Sequence, residues 1–305
     1  MPGQPFYILA LDGGGSKGVF SLGALQELEA LIGRPLHEQF HLVYGTSVGA
    51  IGAAMIGVGK PMSEITEKYL TIIPRIMSPW RGAGRTAALK AEAKVAFEDD
   101  RFDKFKTMVG IVAMNYETRK PMIFKSSKKL AHGLTPTFKD GFGCTIADAV
   151  VASCAAVPYF SKVQVTTENQ QAPVLIDGGF VANNPTLFAL ADALGPLGID
   201  KIDVRVISIG VGSYRERPGW RQWCLEKLLP VEAVLAANTN TLEIVRKLLL
   251  KDVKVVRIDD AFTDRRYETS LLETDVEVLK RLIALGRSTF GKHEAEVREL
   301  LGKPA

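Results

Sequence analysis

Leu42-Val43-Tyr44-Gly45-Thr46-Ser47-Val48-Gly49-Ala50 runs from a short apolar stretch, through a serine between two glycines, into a second apolar stretch that continues to Ile56. The first stretch is β-branched and aromatic, which predicts a strand; Val48 to Ile56, rich in alanine and glycine, predicts a thin helix suited to burial against a sheet. Ser47 therefore falls on a strand-turn-helix bend of the nucleophile-elbow type, where small flanking residues let strand and helix approach and leave the hydroxyl exposed.

Two further glycine turns share this context. Phe6 to Leu11 reads as a strand and leads into Asp12-Gly13-Gly14-Gly15-Ser16-Lys17-Gly18; Val174 to Ile176 reads as another and leads into Asp177-Gly178-Gly179. After the first turn, Phe20, Leu22, Leu25, Leu28 and Leu31 recur at helical spacing over Val19 to Ile32. The unpaired N–H groups and the positive dipole end of that helix face the loop, which suits it to negative charge. A serine hydroxyl needs a neighbour to accept its proton before it can attack a carbonyl. None of the four histidines, His37, His41, His132 and His293, sits on a strand-exit turn. Asp177 does, so the economical expectation is a Ser47/Asp177 dyad, with Gly13, Gly14 and Gly15 donating backbone N–H bonds to the oxyanion. Asp12 is expected to support its own loop by bonding nearby amides, Ser16 to serve as a loop or helix-capping residue, and Ser153 to stabilise a turn.

Val109 to Asn115 and Val204 to Val211 add strands, and Thr145 to Ala156 a helix. Strands alternating with helices predict a doubly wound, mainly parallel sheet. Trp223 to Leu250 and Asp275 to Leu301 read as mostly helical, around a strand at Val253 to Ile258. The 305 residues are 47% hydrophobic, and no linker or repeat divides them. One domain is expected over 1–305, its core at about 6–212 and its helical remainder at 213–305.

Cys144, Cys154 and Cys224 have no paired spacing, which argues against a disulfide framework or a zinc site. Met1 to Pro5 is too short and polar for a secretion leader, and Val48 to Val58 falls well short of the ~20 residues of a membrane span. The expectation is a cytoplasmic protein whose membrane contact is peripheral. A net charge of +4 is too small to imply a nucleic-acid polymer. Positive charge gathers over Ile72 to Phe97, where Arg75, Arg81, Arg85, Lys90 and Lys94 face only Glu92. With Trp80 this stretch reads either as a mobile cap for anionic lipid headgroups or as a solvated surface.

The three glycine turns together resemble the signature of the patatin-like phospholipases: a DGGG-x-[RK]-G loop, a G-x-S-x-G elbow and a D-G-[GA] turn, in that order. The resemblance spans Phe6 to Gly212 and takes in Ser153 to Phe160, Asn183-Asn184-Pro185 and Ile207 to Gly212. It departs at Lys17, where arginine is commoner and its planar fork is lost. The resemblance implies a three-layer α/β/α fold, a Ser-Asp dyad without histidine, and hydrolysis of fatty-acyl esters in phospholipid or lysophospholipid without metal or cofactor. It also admits a homo-oligomer and an antiphage effector switched on by a cyclic nucleotide. The rival reading is an actin-like sugar kinase or ATPase holding phosphate on Asp12 to Lys17, which has no need of the elbow or of Asp177.

Overall fold

A computed structural model of the chain describes residues 3–133, 137–215 and 231–304. The strands are β1 (Phe6–Leu11), β2 (Leu42–Thr46), β3 (Met108–Asn115), β4 (Pro121–Lys125), β5 (Val163–Gln164), β6 (Val174–Asp177), β7 (Val204–Ile209), β8 (Ser213–Tyr214), β9 (Lys254–Ile258) and β10 (Ala261–Phe262). Eight of them form one sheet in the order β5-β6-β3-β2-β1-β7-β9, with β4 also on β3, while β8 and β10 pair separately. The run β3-β2-β1-β7-β9 is parallel throughout. β4, β5 and β6 attach antiparallel, so the mainly parallel sheet expected from the sequence has an antiparallel end.

The helices are α1 (Val19–Ile32), α2 (Leu36–Gln39), α3 (Val48–Gly57), α4 (Met62–Met77), α5 (Gly82–Phe97), α6 (Ile146–Ser153), α7 (Gly179–Ala182), α8 (Thr186–Leu194), α9 (Val231–Leu249) and α10 (Val276–Leu300). Side chains alternate across the strands, and each face collects its own core. Leu9, Leu11 and Val43 join α1, α3, α4, α5, α6 and α10 on one side. Ile8, Leu42 and Tyr44 join Ala182, Ala189, Leu190 and Ala193 of α7 and α8 on the other. Helices thus cover both faces, giving the three layers that the resemblance implied.

Helix ends differ from the sequence-based bounds for local reasons. Thr145 and Asp275 are N-caps rather than helical residues: Thr145 forms a capping box with Asp148, and Asp275 accepts from the Glu277 amide at 2.8 Å. The helical expectation for 223–230, and Cys224 with it, lies outside the described residues. Cys144 and Cys154 are buried free thiols. Among the described residues, no helix is long and apolar enough to cross a membrane.

The charged stretch Ile72 to Phe97 is built from the end of α4 and the whole of α5, joined by a short turn. Ile65, Tyr69, Ile72, Ile73 and Ile76 make a buried stripe along α4, and the Tyr69 hydroxyl donates to Val48 O at 2.8 Å. Half-buried Arg85 points inward, donating to Met77 O and Tyr159 O at 3.2 Å each. Its charge is not offered to a surface. Trp80, in the turn between α4 and α5, is 66% exposed.

Candidate active site

The elbow joins β2 to α3. Ser47 has φ 54° and ψ −126°, a region that side-chain-bearing residues rarely occupy and that costs roughly 1–3 kcal/mol. Glycines allow the bend: a Cβ on Gly45 would lie 2.3 Å from Gly49 O, and one on Gly49 would lie 2.4 Å from Leu11 O. Neighbouring hydrogen bonds hold the strained turn. The Thr46 hydroxyl donates to Ala182 O at 2.7 Å, and the Ser47 amide donates to Ser153 Oγ at 2.8 Å. Ser153 Oγ in turn donates to Val112 O at 2.5 Å. Ser153 therefore braces the elbow, a longer-range task than the turn its sequence context suggested.

Sheet topology brings the aspartate to the serine. One edge of β3 carries β4; the other carries first β2 and then β6, which run toward each other. Thr46, at the end of β2, pairs with Val112, and Asp177, at the end of β6, pairs with Ala113. The two strand ends thus meet head to head, and residues 130 apart in sequence come into contact: Ser47 Oγ donates to Asp177 Oδ2 at 2.7 Å. The Gly179 amide donates to the other carboxylate oxygen at 2.7 Å, and the Asp177 amide donates to Ala155 O at 3.0 Å. Burial pushes Asp177 up to about 7, against the Ser47 hydroxyl and the Gly179 amide, which draw it down. Its proton affinity is therefore set near neutrality. Burial also pushes the neighbouring Cys154 thiol well above its ordinary range, keeping it protonated.

The glycine loop closes a third side. Asp12 is gripped by Arg257 through two parallel bonds, Nη1 to Oδ1 at 2.9 Å and Nη2 to Oδ2 at 2.6 Å. The carboxylate meets a guanidinium from β9 rather than the nearby amides expected from sequence. The Gly13 amide donates to Asn183 O at 3.0 Å. The amides of Gly14 and Gly15 have no acceptor among the described residues. Lys17 forms a buried ion pair with Glu232 of α9, and the Ser16 hydroxyl donates to Glu273 O at 2.7 Å. Both charges of the loop are thus spent within the protein, which removes the free cation that a phosphate-binding loop would need.

Gly14, Gly15, Ser47 and Asp177 open onto one narrow pocket, of about 580 Å³ including its open mouth. Its other walls are mainly apolar, from Ile51 of α3, Ile73, Ile76 and Met77 of α4, Leu89 of α5, and Tyr159 and Phe160. An aliphatic chain fits such walls, with its polar end at the serine. The sequence reading missed these α4 and α5 residues, although the three- and four-residue spacing of the isoleucines carried the signal. No histidine lines the pocket. His41 sits by β1, where Nδ1 accepts from the Tyr7 amide at 3.0 Å, and His132 bonds Asp192 at 2.8 Å. Among the described residues no cluster of three potential metal ligands occurs.

The chain is similar to several known proteins. Residues 9–190 match the patatin-like phospholipase family. A cUMP-AMP-activated phospholipase of Escherichia coli is 45% identical over 298 residues, covering 96% of this chain and 93% of that protein. A cGAMP-activated phospholipase of Vibrio cholerae is 28% identical, covering 69% of this chain and 67% of that one. The crystal structure of VipD from Legionella pneumophila shares the fold at a TM-score of 0.50 and 13% identity, covering 99% of this chain and 67% of its own. With a strand-exit serine, a family match over more than half its length and a close relative along nearly all of it, the chain belongs to the patatin-like phospholipases, a family of serine hydrolases.

Proposed function

We propose that the protein hydrolyses fatty-acyl esters of membrane phospholipid, with Ser47 as nucleophile and Asp177 as its base, and that a cyclic nucleotide switches it on. The 2.7 Å bond from Ser47 Oγ to Asp177 Oδ2 carries the reading. Asp177 takes the serine proton as Oγ attacks the acyl carbonyl, and returns it to the departing alcohol of the lysophospholipid. Water, deprotonated by the same carboxylate, then releases the fatty acid. The oxyanion of each step lies against the amides of Gly14 and Gly15. Gly13, first expected to donate as well, instead ties the loop to Asn183. The apolar pocket holds the acyl chain, and the exposed turn at Trp80 and Arg81 meets the membrane from its surface. Gating by a cyclic dinucleotide is supported by the Escherichia coli and Vibrio cholerae relatives, whose names carry that property. An antiphage role is part of the same proposal.

The test is lipid mass spectrometry of phospholipid vesicles incubated with the wild type or Ser47→Ala, each with and without cyclic UMP–AMP and cyclic GMP–AMP. Free fatty acid and lysophospholipid should accumulate with the wild type and one activator, and not with Ser47→Ala. Equal release by both proteins would remove Ser47 from the mechanism. ATP-dependent phosphorylation of a sugar without ester hydrolysis would revive the kinase reading.

A further inference from the structure

The serine, its base and the oxyanion loop come from distant stretches of chain, and one turn of helix, α7, has backbone groups on all three. At its start the Gly179 amide donates to Asp177 Oδ1 at 2.7 Å. Ala182 O, at its other end, accepts from the Thr46 hydroxyl of the elbow at 2.7 Å. Asn183 O, one residue on, accepts from the Gly13 amide at 3.0 Å. The Asn183 side chain is wedged between the same loops: a Cβ on Gly13 would lie 2.6 Å from its Oδ1, and one on Gly179 would lie 3.2 Å from it.

Four residues are too few for a helix to hold itself in water, so α7 stands where its neighbours fix it. α9 packs across it, and Asn238 of α9 grips its end with both polar atoms of its side chain. Asn238 Oδ1 accepts from the Asn183 amide at 3.0 Å, and Nδ2 donates to Val181 O at 3.1 Å, a carbonyl that the helix end leaves open. Thr239 adds a third bond, its hydroxyl accepting from Asn183 Nδ2 at 3.0 Å. Asn238 and Thr239 are half-buried, whereas Asn240 and Thr241, the next two residues, are exposed.

Resting on the hydrolase reading above, we infer that Asn238 is a positioning residue of the reaction, with Thr239 as its support. Asn238 lies beyond the residues 9–190 that match the family and does not line the acyl pocket, so it acts through α7 and not on the substrate. Without its side chain, α7 loses two of the bonds that fix its place. The Gly179 amide and the Asn183 carbonyl then shift together, and Asp177 and the Gly14 and Gly15 amides lose their register with Ser47. The pocket walls from α3, α4 and α5 are untouched. The cost therefore falls on the transition state, whose proton transfer and oxyanion need that register, and not on binding of the acyl chain.

The test is steady-state hydrolysis of a chromogenic ester by the full chain, with cyclic UMP–AMP and cyclic GMP–AMP present, beside inhibition by a trifluoromethyl ketone. Ser47 Oγ adds to the ketone carbonyl, its proton passing to Asp177, and the new oxyanion lies where that of the transition state does. Asn238→Ala should lower kcat roughly 10- to 100-fold with KM nearly unchanged, and raise the inhibition constant by a similar factor. Thr239→Val should do the same more weakly, and Thr239→Ser should restore the wild-type values. Thr241→Ala, on the exposed side of α9, should change nothing. A purely structural role gives another pattern: a lower melting temperature and fewer serines labelled by a fluorophosphonate, with wild-type kcat per labelled serine and wild-type inhibition. That pattern, or wild-type kinetics in Asn238→Ala, would overturn the inference. Should Asn238→Ala fail to fold, Thr239→Val and Thr239→Ser decide by the same readouts. Absence of Ser47-dependent hydrolysis in the wild type would overturn the hydrolase reading itself, and this inference with it.

Discussion

The tripeptide Asp-Gly-Gly occurs at two strand exits in this protein, at Asp12 after β1 and at Asp177 on the end of β6, and the two carboxylates meet different long-range partners. Both are almost completely buried, at 2% and 3% exposed. Burial pushes Asp177 up to about 7, with only a hydroxyl and an amide opposing it. Burial also raises Asp12, but the Arg257 guanidinium limits the rise to about 6. The cation makes the difference. A carboxylate locked to a guanidinium by two hydrogen bonds is committed to holding its loop, whereas one that faces only a serine and an amide stands where it can take up the serine proton. Local sequence is the same at both positions; the long-range partner decides the chemistry.

The sharpest way to break this contrast is to neutralise each aspartate in turn. Asp177→Asn should lower turnover of a chromogenic ester roughly 10⁴-fold, comparable to other catalytic groups of this type, and Ser47→Ala by at least as much. Asp12→Asn should lower folding yield and loop order, and leave the protein that does fold far more active than Asp177→Asn. Comparable losses in soluble, well-folded forms of both aspartate variants would erase the distinction.

Arg257→Met tests the other half. It leaves Asp12 buried without its cation, which should cost about 3–5 kcal/mol of stability, read from the urea midpoint. The double variant Asp12→Asn/Arg257→Met should recover part of that loss, since the penalty comes from the abandoned charge. A single variant as stable as the wild type would mean that Arg257 does nothing for Asp12.

The pH dependence sharpens the comparison further. The base must be ionised to accept the serine proton, so kcat/KM should rise about tenfold per pH unit up to about 7 and level off above it. Stability should follow the opposite sign. A carboxyl whose folded value is raised binds more protons folded than unfolded, so its contribution is full below the ordinary carboxylate range and is lost as pH climbs toward 7. Asp177→Asn, which cannot ionise, should therefore melt higher than the wild type at pH 8, with the gain shrinking toward pH 4. A pH-independent rate between 5 and 8 would count against Asp177 as the base.

What the sequence revealed and what it hid follow the same line. The elbow around Ser47, the glycine loop and the Asp177 turn are short-range turn chemistry, written in adjacent residues, and each could be read from a few positions. Arg257 could not be assigned to Asp12, because the two are 245 residues apart and nothing local in β9 marks a counterion. Nor could the Gly13 amide be known to serve Asn183, or Ser153 to brace Ser47, since both bonds exist only once α7 and α6 are packed. The antiparallel placement of β6, which turns Asp177 toward Ser47, depends on two strands sharing one edge of β3, and hydropathy does not encode that. Along Ile72 to Phe97 the conspicuous charges drew attention from the isoleucine stripe that walls the pocket.

That same stretch supplies the smallest effect. Of its basic residues, Arg85 is committed inward, whereas Arg81 lies over the exposed Trp80 ring at 4.4 Å. An indole and a guanidinium at the tip of a turn suit the interface between headgroups and acyl chains, where neither need be fully desolvated. Trp80→Ala should therefore reduce binding to anionic phospholipid vesicles severalfold in a sedimentation assay. The loss should fall on hydrolysis of vesicle lipid and spare a water-soluble ester, because Trp80 lies outside the lining of the acyl pocket. Equal losses on both substrates would show that the turn supports the pocket itself, and that the membrane is met elsewhere on the surface.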